Sequence, residues 1–286
     1  MPTKETNTSV QLNLETKFIY STSGSQSSIE KHNKALSELG VNVVYFTLYQ
    51  DVTPEVYAGI LRGPMVRGAA VTAKAGLKSS IIPYLDEVEP LASKTKTVNT
   101  VINKEGRLVG YNTDSYGLKI ALEQGIQEAD IPIKTAVIYG NGGVSGAAFH
   151  VLSDMGIEVT IVGRNPEKVA AKRKALGIDH IPHFEGPYDL VVDATPVSSD
   201  PDFLKAEGLK ELLQGSKMVF CHNMPEKDGK TNYLQAYCEA EGKFFIPGNA
   251  MYKGQLIKQY QLFLQQEQKA NGGEVSEEDI IKHWNL

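Results

Sequence analysis

At 286 residues, with 41% apolar and 22% charged side chains, the chain has the make-up of a globular protein long enough for two domains, each with its own core. A formal net charge of −5 argues against a broad electrostatic surface for nucleic acid or membrane lipid and points to a small-molecule partner. Two cysteines, Cys221 and Cys238, are too few for a disulfide framework; with no apolar run long enough to span a bilayer and no signal-peptide core in Met1–Leu12, a cytoplasmic protein is expected.

The polar start through Glu15 is expected to be loose, and Lys17–Ser21 reads as the first strand. After a Ser-rich turn, Ile29, His32, Leu36 and Leu39 fall at helical spacing up to Gly40, with Ser27 and Glu30 spaced as a capping box and His32 on the apolar stripe as a structural histidine. A strand over Val41–Leu48, a short helix over Pro54–Leu61 and a strand over Gly68–Thr72 follow. Short helical turns are expected over Lys78–Leu85 and around Glu87 and Glu89. A strand at Val98–Ile102, a turn at Lys104–Arg107 and a return over Leu108–Asn112 complete the first domain, and a helix over Asp114–Gln124 leaves it, with 125–133 as a loop.

The second domain opens on Ala136-Val-Ile-Tyr-Gly140-Asn141-Gly142-Gly143-Val144-Ser-Gly146-Ala147, apolar residues running into a cluster of glycines, with Val144, Ala147, Ala148, Val151 and Leu152 at helical offsets behind them. Glycine lets backbone approach a ligand, and a helix beginning there offers unpaired N–H groups and a positive dipole end to a pyrophosphate. The strand Ile157–Val162 gives the βαβ spacing of a dinucleotide fold. It ends in Gly163-Arg164-Asn165-Pro166-Glu167-Lys168, with no acid directly after it; Arg164 and Lys168, with Asn165, suit a 2′-phosphate and favour NADP(H) over NAD. The alternation continues with helices at Pro166–Leu176, Leu204–Leu213 and Tyr233–Glu241, and strands at Asp189–Thr195, Lys217–Cys221 and Lys243–Ile246. A helix from Gln255 to about Gln268 and a short one that Ser276 would cap, docking Ile280 and Trp284, close the chain. The six histidines form no ligand-spaced pair with acids or cysteines, so no metal is expected.

At Asn112-Thr-Asp114 the chain resembles the shikimate dehydrogenase family, a likeness that also rests on Ile82-Pro-Tyr-Leu-Asp-Glu, Val98-Asn99-Thr-Val, the Gly-rich turn, Asp193-Ala-Thr195-Pro and Gly248-Asn-Ala-Met251-Tyr-Lys-Gly-Gln255. The resemblance implies an α/β protein of two domains flanking a cleft. These are a substrate-binding catalytic domain at 1–116, to which helices at 253–286 return, and a Rossmann NADP-binding domain at 117–252. It implies reversible hydride transfer between NADP(H) and a ring acid, 3-dehydroshikimate to shikimate, in aromatic amino acid biosynthesis, by a monomer or homodimer.

The same resemblance assigns proton transfer to a lysine and Asp114. Lys78 keeps the family spacing to Pro83 and Thr72 keeps the upstream spacing, with two residues inserted between them, so Lys78 is preferred to Lys74. Asn99, Gln255 and Thr72 match substrate-binding positions, and Gln26 and Ser28 fall where the family has two serines. The Gly140–Val144 turn, Thr195, Gly248 and Met251 match cofactor positions. Ala70 replaces a family Asn, and Phe220-Cys-His-Asn-Met-Pro225 replaces a segment bearing a Tyr. These departures leave room for a paralogue acting on a related ring acid, such as quinate or an aminoshikimate, or for a non-catalytic NADP-binding regulatory protein.

Overall fold

Runs of β-branched and aromatic residues, interrupted by amphipathic segments, build two sheets in two compact units: residues up to Thr113 together with Leu256–Leu286, and Asp114–Gln255. The computed structural model describes residues 12–48, 52–72, 76–178, 187–206 and 208–286, with the backbone alone at 227–228. Lys74 and most of the polar start lie outside the described residues.

The first unit runs β1 (Lys17–Ser21), α1 (Gln26–Leu39), β2 (Val43–Thr47), α2 (Pro54–Leu61), β3 (Val66–Ala70), α3 (Leu77–Ser80), β4 (Glu87–Val88), α4 (Pro90–Thr95), β5 (Thr100–Lys104) and β6 (Arg107–Tyr111). Its six-stranded sheet is ordered β2-β1-β3-β5-β6-β4, with β1 parallel to β2 and β3, and β5 antiparallel to β3 and β6. Tyr57, Leu61, Ala69, Ile81, Val101 and Leu108 form a buried core on it. Two local expectations change. Helix α1 is capped by Ser25, whose side chain accepts from the Ser28 N–H, so Ser27 lies inside the first turn and the Ser27–Glu30 capping box does not form. The acidic segment is β4 followed by a cap, not a helical turn: the Glu89 carboxylate accepts from the Leu91 and Ala92 N–H groups at 3.0 and 3.0 Å, and Pro90 starts α4.

The second unit runs α5 (Thr113–Ala129), β7 (Thr135–Tyr139), α6 (Gly143–Asp154), β8 (Glu158–Val162), α7 (Pro166–Leu176), β9 (Leu190–Asp193), α8 (Leu209–Gly215), β10 (Met218–Cys221), α9 (Tyr233–Ala240), β11 (Phe244–Ile246) and α10 (Gly248–Leu264), the last continuing into the first unit. All five strands are parallel, ordered β11-β10-β9-β7-β8. Burial on both faces explains their unbroken apolar runs: Ala136, Ile138, Leu190, Val192, Met218 and Phe220 face one core, and Val137, Tyr139, Val191, Val219 and Cys221 the other. The order reverses between β7 and β9, the switch point at which open parallel sheets leave a crevice for a ligand.

Two helices outrun their expected limits. Helix α5 passes through Gly125 to Ala129, because a side chain there would collide with Ile246; this glycine serves close packing and does not stop the helix. Helix α10 begins at Gly248, seven residues before Gln255, since Pro247 is compatible with a helix start just beyond it. The segment expected as a helix over Leu204–Leu213 divides into a 3-10 turn at Phe203–Lys205 and α8.

Helix α11 (Glu277–Trp284) returns to the first unit, capped by Ser276 in a box with Asp279, and buries Ile280 and Trp284. The Trp284 indole N–H donates to His32 Nδ1 at 2.9 Å, and the Tyr260 hydroxyl meets the same nitrogen at 2.7 Å. An indole only donates, so Nδ1 carries the lone pair and His32 is neutral. Burial, with Lys31 adding to it, lowers its pKa to about 4. His32 thus ties α1, α10 and α11 together as a structural residue.

Candidate active site

In the first unit, backbone pairing makes Asn99 a hub. The Val71 N–H donates to the Asn99 carbonyl at 2.7 Å, which sets Thr72 beside it; the Val98 N–H donates to the Lys78 carbonyl at 2.7 Å, which sets α3 against the start of β5. The Thr113 N–H donates to Asn99 Oδ1 at 2.8 Å, and Asp114 is the next residue along. Asn99 is thus tied to the residue before Thr72 and to Thr113, and Lys78 to the residue before Asn99. Lys78 is half-buried on the short α3, whose N-cap Gly76 has φ 71°. Asp114 is the second residue of α5, where a carboxylate also suits the positive helix end.

Gln255 is reached from α5. A side chain at Gly117 would lie 2.5 Å from the Gln255 nitrogen and 2.9 Å from its Cβ, so the two helices cross with backbones in contact. Asp114, one turn before Gly117 on the same face, stands by that crossing.

The serine positions of α1 are arranged differently from expectation. Gln26 is exposed and its amide donates along the helix to Glu30 at 2.9 Å. Ser28 is half-buried, its N–H taken by the Ser25 cap. Thr72 instead meets hydroxyls the sequence reading missed: its Oγ1 lies 2.9 Å from Thr22 Oγ1 and 2.8 Å from Ser23 Oγ, and its N–H donates to Thr22 at 2.8 Å. The consecutive hydroxyls Ser21-Thr22-Ser23 at the end of β1 were the available signal. Only the pairing of Ser21 with Ala70 shows that they face Thr72.

In the second unit, Gly140 turns with φ 120°, and a methyl there would meet Thr195 Cγ2 at 2.8 Å and the Ala194 carbonyl oxygen at 3.0 Å. Gly142 and Gly143 are exposed, and side chains there would meet nothing within 4 Å. Gly142 caps α6 without a side-chain hydrogen bond, so the first N–H groups of a twelve-residue helix face open space at the switch point. That cradle fits a pyrophosphate. Asn141 and Val144 flank it half-buried, while Arg164 and Lys168 are exposed at the start of α7. The Asn165 side-chain oxygen caps α7, accepting from the Lys168 N–H at 2.9 Å, which leaves only its amide nitrogen for a phosphate.

Thr195 sits against Gly140 and is fixed by Asp193, whose Oδ1 accepts from its N–H at 3.0 Å and its hydroxyl at 2.6 Å. Asp193 is fully buried. Desolvation pushes its pKa up to about 6, against the pull of the Thr195 and Cys221 hydrogen bonds. Burial, then the Asp193 charge, pushes the Cys221 thiol well above its ordinary range. The His222 N–H donates to the Asp193 carbonyl at 3.2 Å, and Asn223 Nδ2 donates to Ser198 Oγ at 3.0 Å, stitching the loops after β9 and β10. Gly248 is buried at the start of α10, and Met251 packs on the core.

A family model described as the shikimate dehydrogenase substrate binding domain matches residues 22–101. The chain is 36% identical over 229 residues to a protein of Halothermothrix orenii named shikimate dehydrogenase (NADP(+)), a match spanning 71% of this chain and 76% of that one. It is 34% identical over 182 residues to the protein of the same name from Bacillus cereus (strain B4264), spanning 59% of this chain and 64%, just under two thirds, of the relative's length. Among solved structures, a shikimate 5-dehydrogenase of Thermus thermophilus in complex with shikimate superposes with a TM-score of 0.67 at 25% identity, covering 94% of this chain and 98% of that one.

Proposed function

The chain belongs to the shikimate dehydrogenase family, and on that premise we propose that it reversibly reduces 3-dehydroshikimate to shikimate with NADP(H). The observation that carries the reading is that the strand leading to Thr72 and the Thr113 N–H are both tied to Asn99 and the Lys78 carbonyl to the neighbouring Val98, with Asp114 following Thr113 in sequence. In this reading the first unit binds the ring acid, and the second binds the cofactor through the Gly140–Val144 turn, Thr195, Gly248 and Met251, with Arg164, Asn165 and Lys168 at the 2′-phosphate.

Held by those residues, NADPH would supply the hydride for the ring carbonyl. Charge then develops on the carbonyl oxygen, and the Lys78 ammonium donates the proton that neutralises it; in the oxidation direction Lys78 takes that proton back. Asp114 hydrogen-bonds the neighbouring ring hydroxyl and holds the ammonium in line. Asn99, Gln255 and Thr72 bind the remaining oxygens. Ser28 is retained as a carboxylate contact, and Gln26 is the weakest of the assigned residues because its amide is already engaged by Glu30.

That engagement, with the Thr22–Ser23–Thr72 hydroxyl cluster, favours a second reading: a paralogue whose acid group is held differently and whose ring acid is quinate or an aminoshikimate. A panel of ring acids assayed with NADP(H) and NAD(H) in parallel separates the two. Preferred turnover of shikimate with NADP+ supports the first, and preferred turnover of another acid the second. Among the described residues no helix is long and apolar enough to cross a membrane. A cytoplasmic monomer or homodimer accords with the reading, and sedimentation of the purified chain tests the oligomeric state.

A further inference from the structure

We propose that Asp193 is a proton site coupled to cofactor binding: when NADP(H) binds, one of its carboxylate oxygens takes a proton from solvent while the other goes on holding Thr195. The identity of the ligand rests on the functional reading above; the two roles of the carboxylate rest on its hydrogen bonds. Asp193 ends β9 and pairs in register with Tyr139 on β7 and Cys221 on β10, so it is buried inside the sheet at the edge where the switch point lies. The loops leaving β9 and β10 both close on it, through Thr195 at its carboxylate and the His222 N–H at its carbonyl.

The two oxygens differ in what a proton would displace. Oδ1 accepts the Thr195 N–H at 3.0 Å and the Thr195 hydroxyl at 2.6 Å, and that hydroxyl in turn accepts the Val197 N–H at 3.2 Å. Two donors from one residue keep Oδ1 an acceptor in either charge state. Oδ2 meets the Cys221 thiol at 3.6 Å, a weak donor with a second acceptor in the Asn223 carbonyl at 3.7 Å. A proton added to Oδ2 would point at the sulfur, and the thiol proton would turn to Asn223. The carboxyl can thus gain or lose its proton without releasing Thr195.

Thr195 connects this site to the cradle. A methyl at Gly140 would meet Thr195 Cγ2 at 2.8 Å, so Asp193 is one side chain removed from the glycine turn. Phosphate held at that turn disfavours a second negative charge behind Thr195, and burial already raises the Asp193 pKa to about 6. The other titratable groups on this face are Tyr139 on β7, Cys221 on β10 and Cys238, Tyr233 and Tyr237 on α9, with His222 just beyond β10. Burial raises the Cys221 and Cys238 thiols, and lowers the His222 imidazole against the pull of the Asp193 carbonyl, so these three are neutral near pH 7.

The test is calorimetric titration of NADP+ into the full chain in buffers of different ionisation heat, which counts the protons taken up per ligand bound. For a ligand that binds the protonated form about tenfold more tightly, wild type takes up about 0.4 proton more than Asp193→Asn at pH 7, and its affinity falls about eightfold more from pH 5 to pH 8. Protons exchanged by the 2′-phosphate are common to both proteins and cancel. Asp193→Asn keeps an oxygen for Thr195, so a merely structural role would leave proton uptake the same in both. Infrared difference spectra with and without NADP+ give a readout that does not need that variant: a carboxylic-acid C=O band gained on binding by wild type and shifted by Cys221→Ala. Equal uptake by wild type and Asp193→Asn, or a wild-type spectrum that gains no such band, overturns the proposal while leaving NADP(H) as the cofactor. A wild-type chain that binds no dinucleotide overturns the functional reading, and the proposal with it.

Discussion

Replacing Gly140 and Gly142 by alanine, one at a time, separates the structural glycine of the turn from the binding one. At Gly140 the backbone sits at φ 120°, and the added methyl would press on Thr195 Cγ2 at 2.8 Å and the Ala194 carbonyl at 3.0 Å. Backbone strain of this kind costs about 1–3 kcal/mol, and displacing the β9 end adds to it, so a loss of about 2–4 kcal/mol is expected. At Gly142 the backbone has φ −76° and ψ −166°, extended geometry open to any residue, and the methyl would meet nothing within 4 Å. Gly142→Ala should therefore be as stable as wild type, or more stable by about 0.4–1 kcal/mol through a less flexible unfolded chain. The methyl would nonetheless stand where a pyrophosphate approaches the first turn of α6, weakening NADPH at least about tenfold, or 1.4 kcal/mol. Urea unfolding and NADPH fluorescence titration read the two effects separately. Wild-type affinity in a folded Gly142→Ala protein would show that the dinucleotide does not pass this helix end, and a wild-type unfolding midpoint for Gly140→Ala would refute the strain.

Arg164→Ala and Lys168→Ala should each weaken NADPH several-fold while leaving NADH nearly unchanged, since only the former carries the 2′-phosphate; equal losses for both cofactors in parallel titrations would contradict their placement. His32 contributes stability that is fully present above its unfolded pKa of 6.5 and is lost as pH falls toward its folded value of about 4. The span is worth about 3 kcal/mol, and His32→Phe should flatten the difference between urea midpoints at pH 7 and pH 4.5. Asp193 has the opposite sign: its folded pKa is raised to about 6, so stability is lost as pH rises from 3.8 toward that value. Asp193→Asn keeps an oxygen for Thr195 and should stabilise the protein at pH 8 by about 3 kcal/mol, with the gain disappearing below about pH 4.

Much of the fold was legible because periodicity reports burial. The strands of the second unit are buried on both faces and read as continuous apolar runs, and α2 and α7 carry Thr53 and Asn165 caps with a proline at the helix start. Boundaries failed where tertiary contact overrides local propensity: Gly125 reads as a helix stop until Ile246 is seen against it, and Glu89 reads as a helical acid until its carboxylate is seen capping α4. At the candidate site, single residues in motifs could be read, but their wiring could not. Thr22 and Ser23 reach Thr72 across fifty and forty-nine residues, and Gln259 reaches Thr100 across 159. No spacing rule spans such distances; only the sheet register and the return of α10 bring these pairs together.

Reduction of 3-dehydroshikimate by NADPH, measured for wild type and Lys78→Ala with NADPH affinity determined on both, tests the assignment of the reaction and its proton donor most directly. Turnover by wild type, a loss of about 10²–10⁴-fold in Lys78→Ala and unchanged NADPH affinity are expected of a lysine that acts on the substrate oxygen. Wild-type turnover in the Lys78→Ala protein, or no turnover of any ring acid by the wild type, would contradict the account.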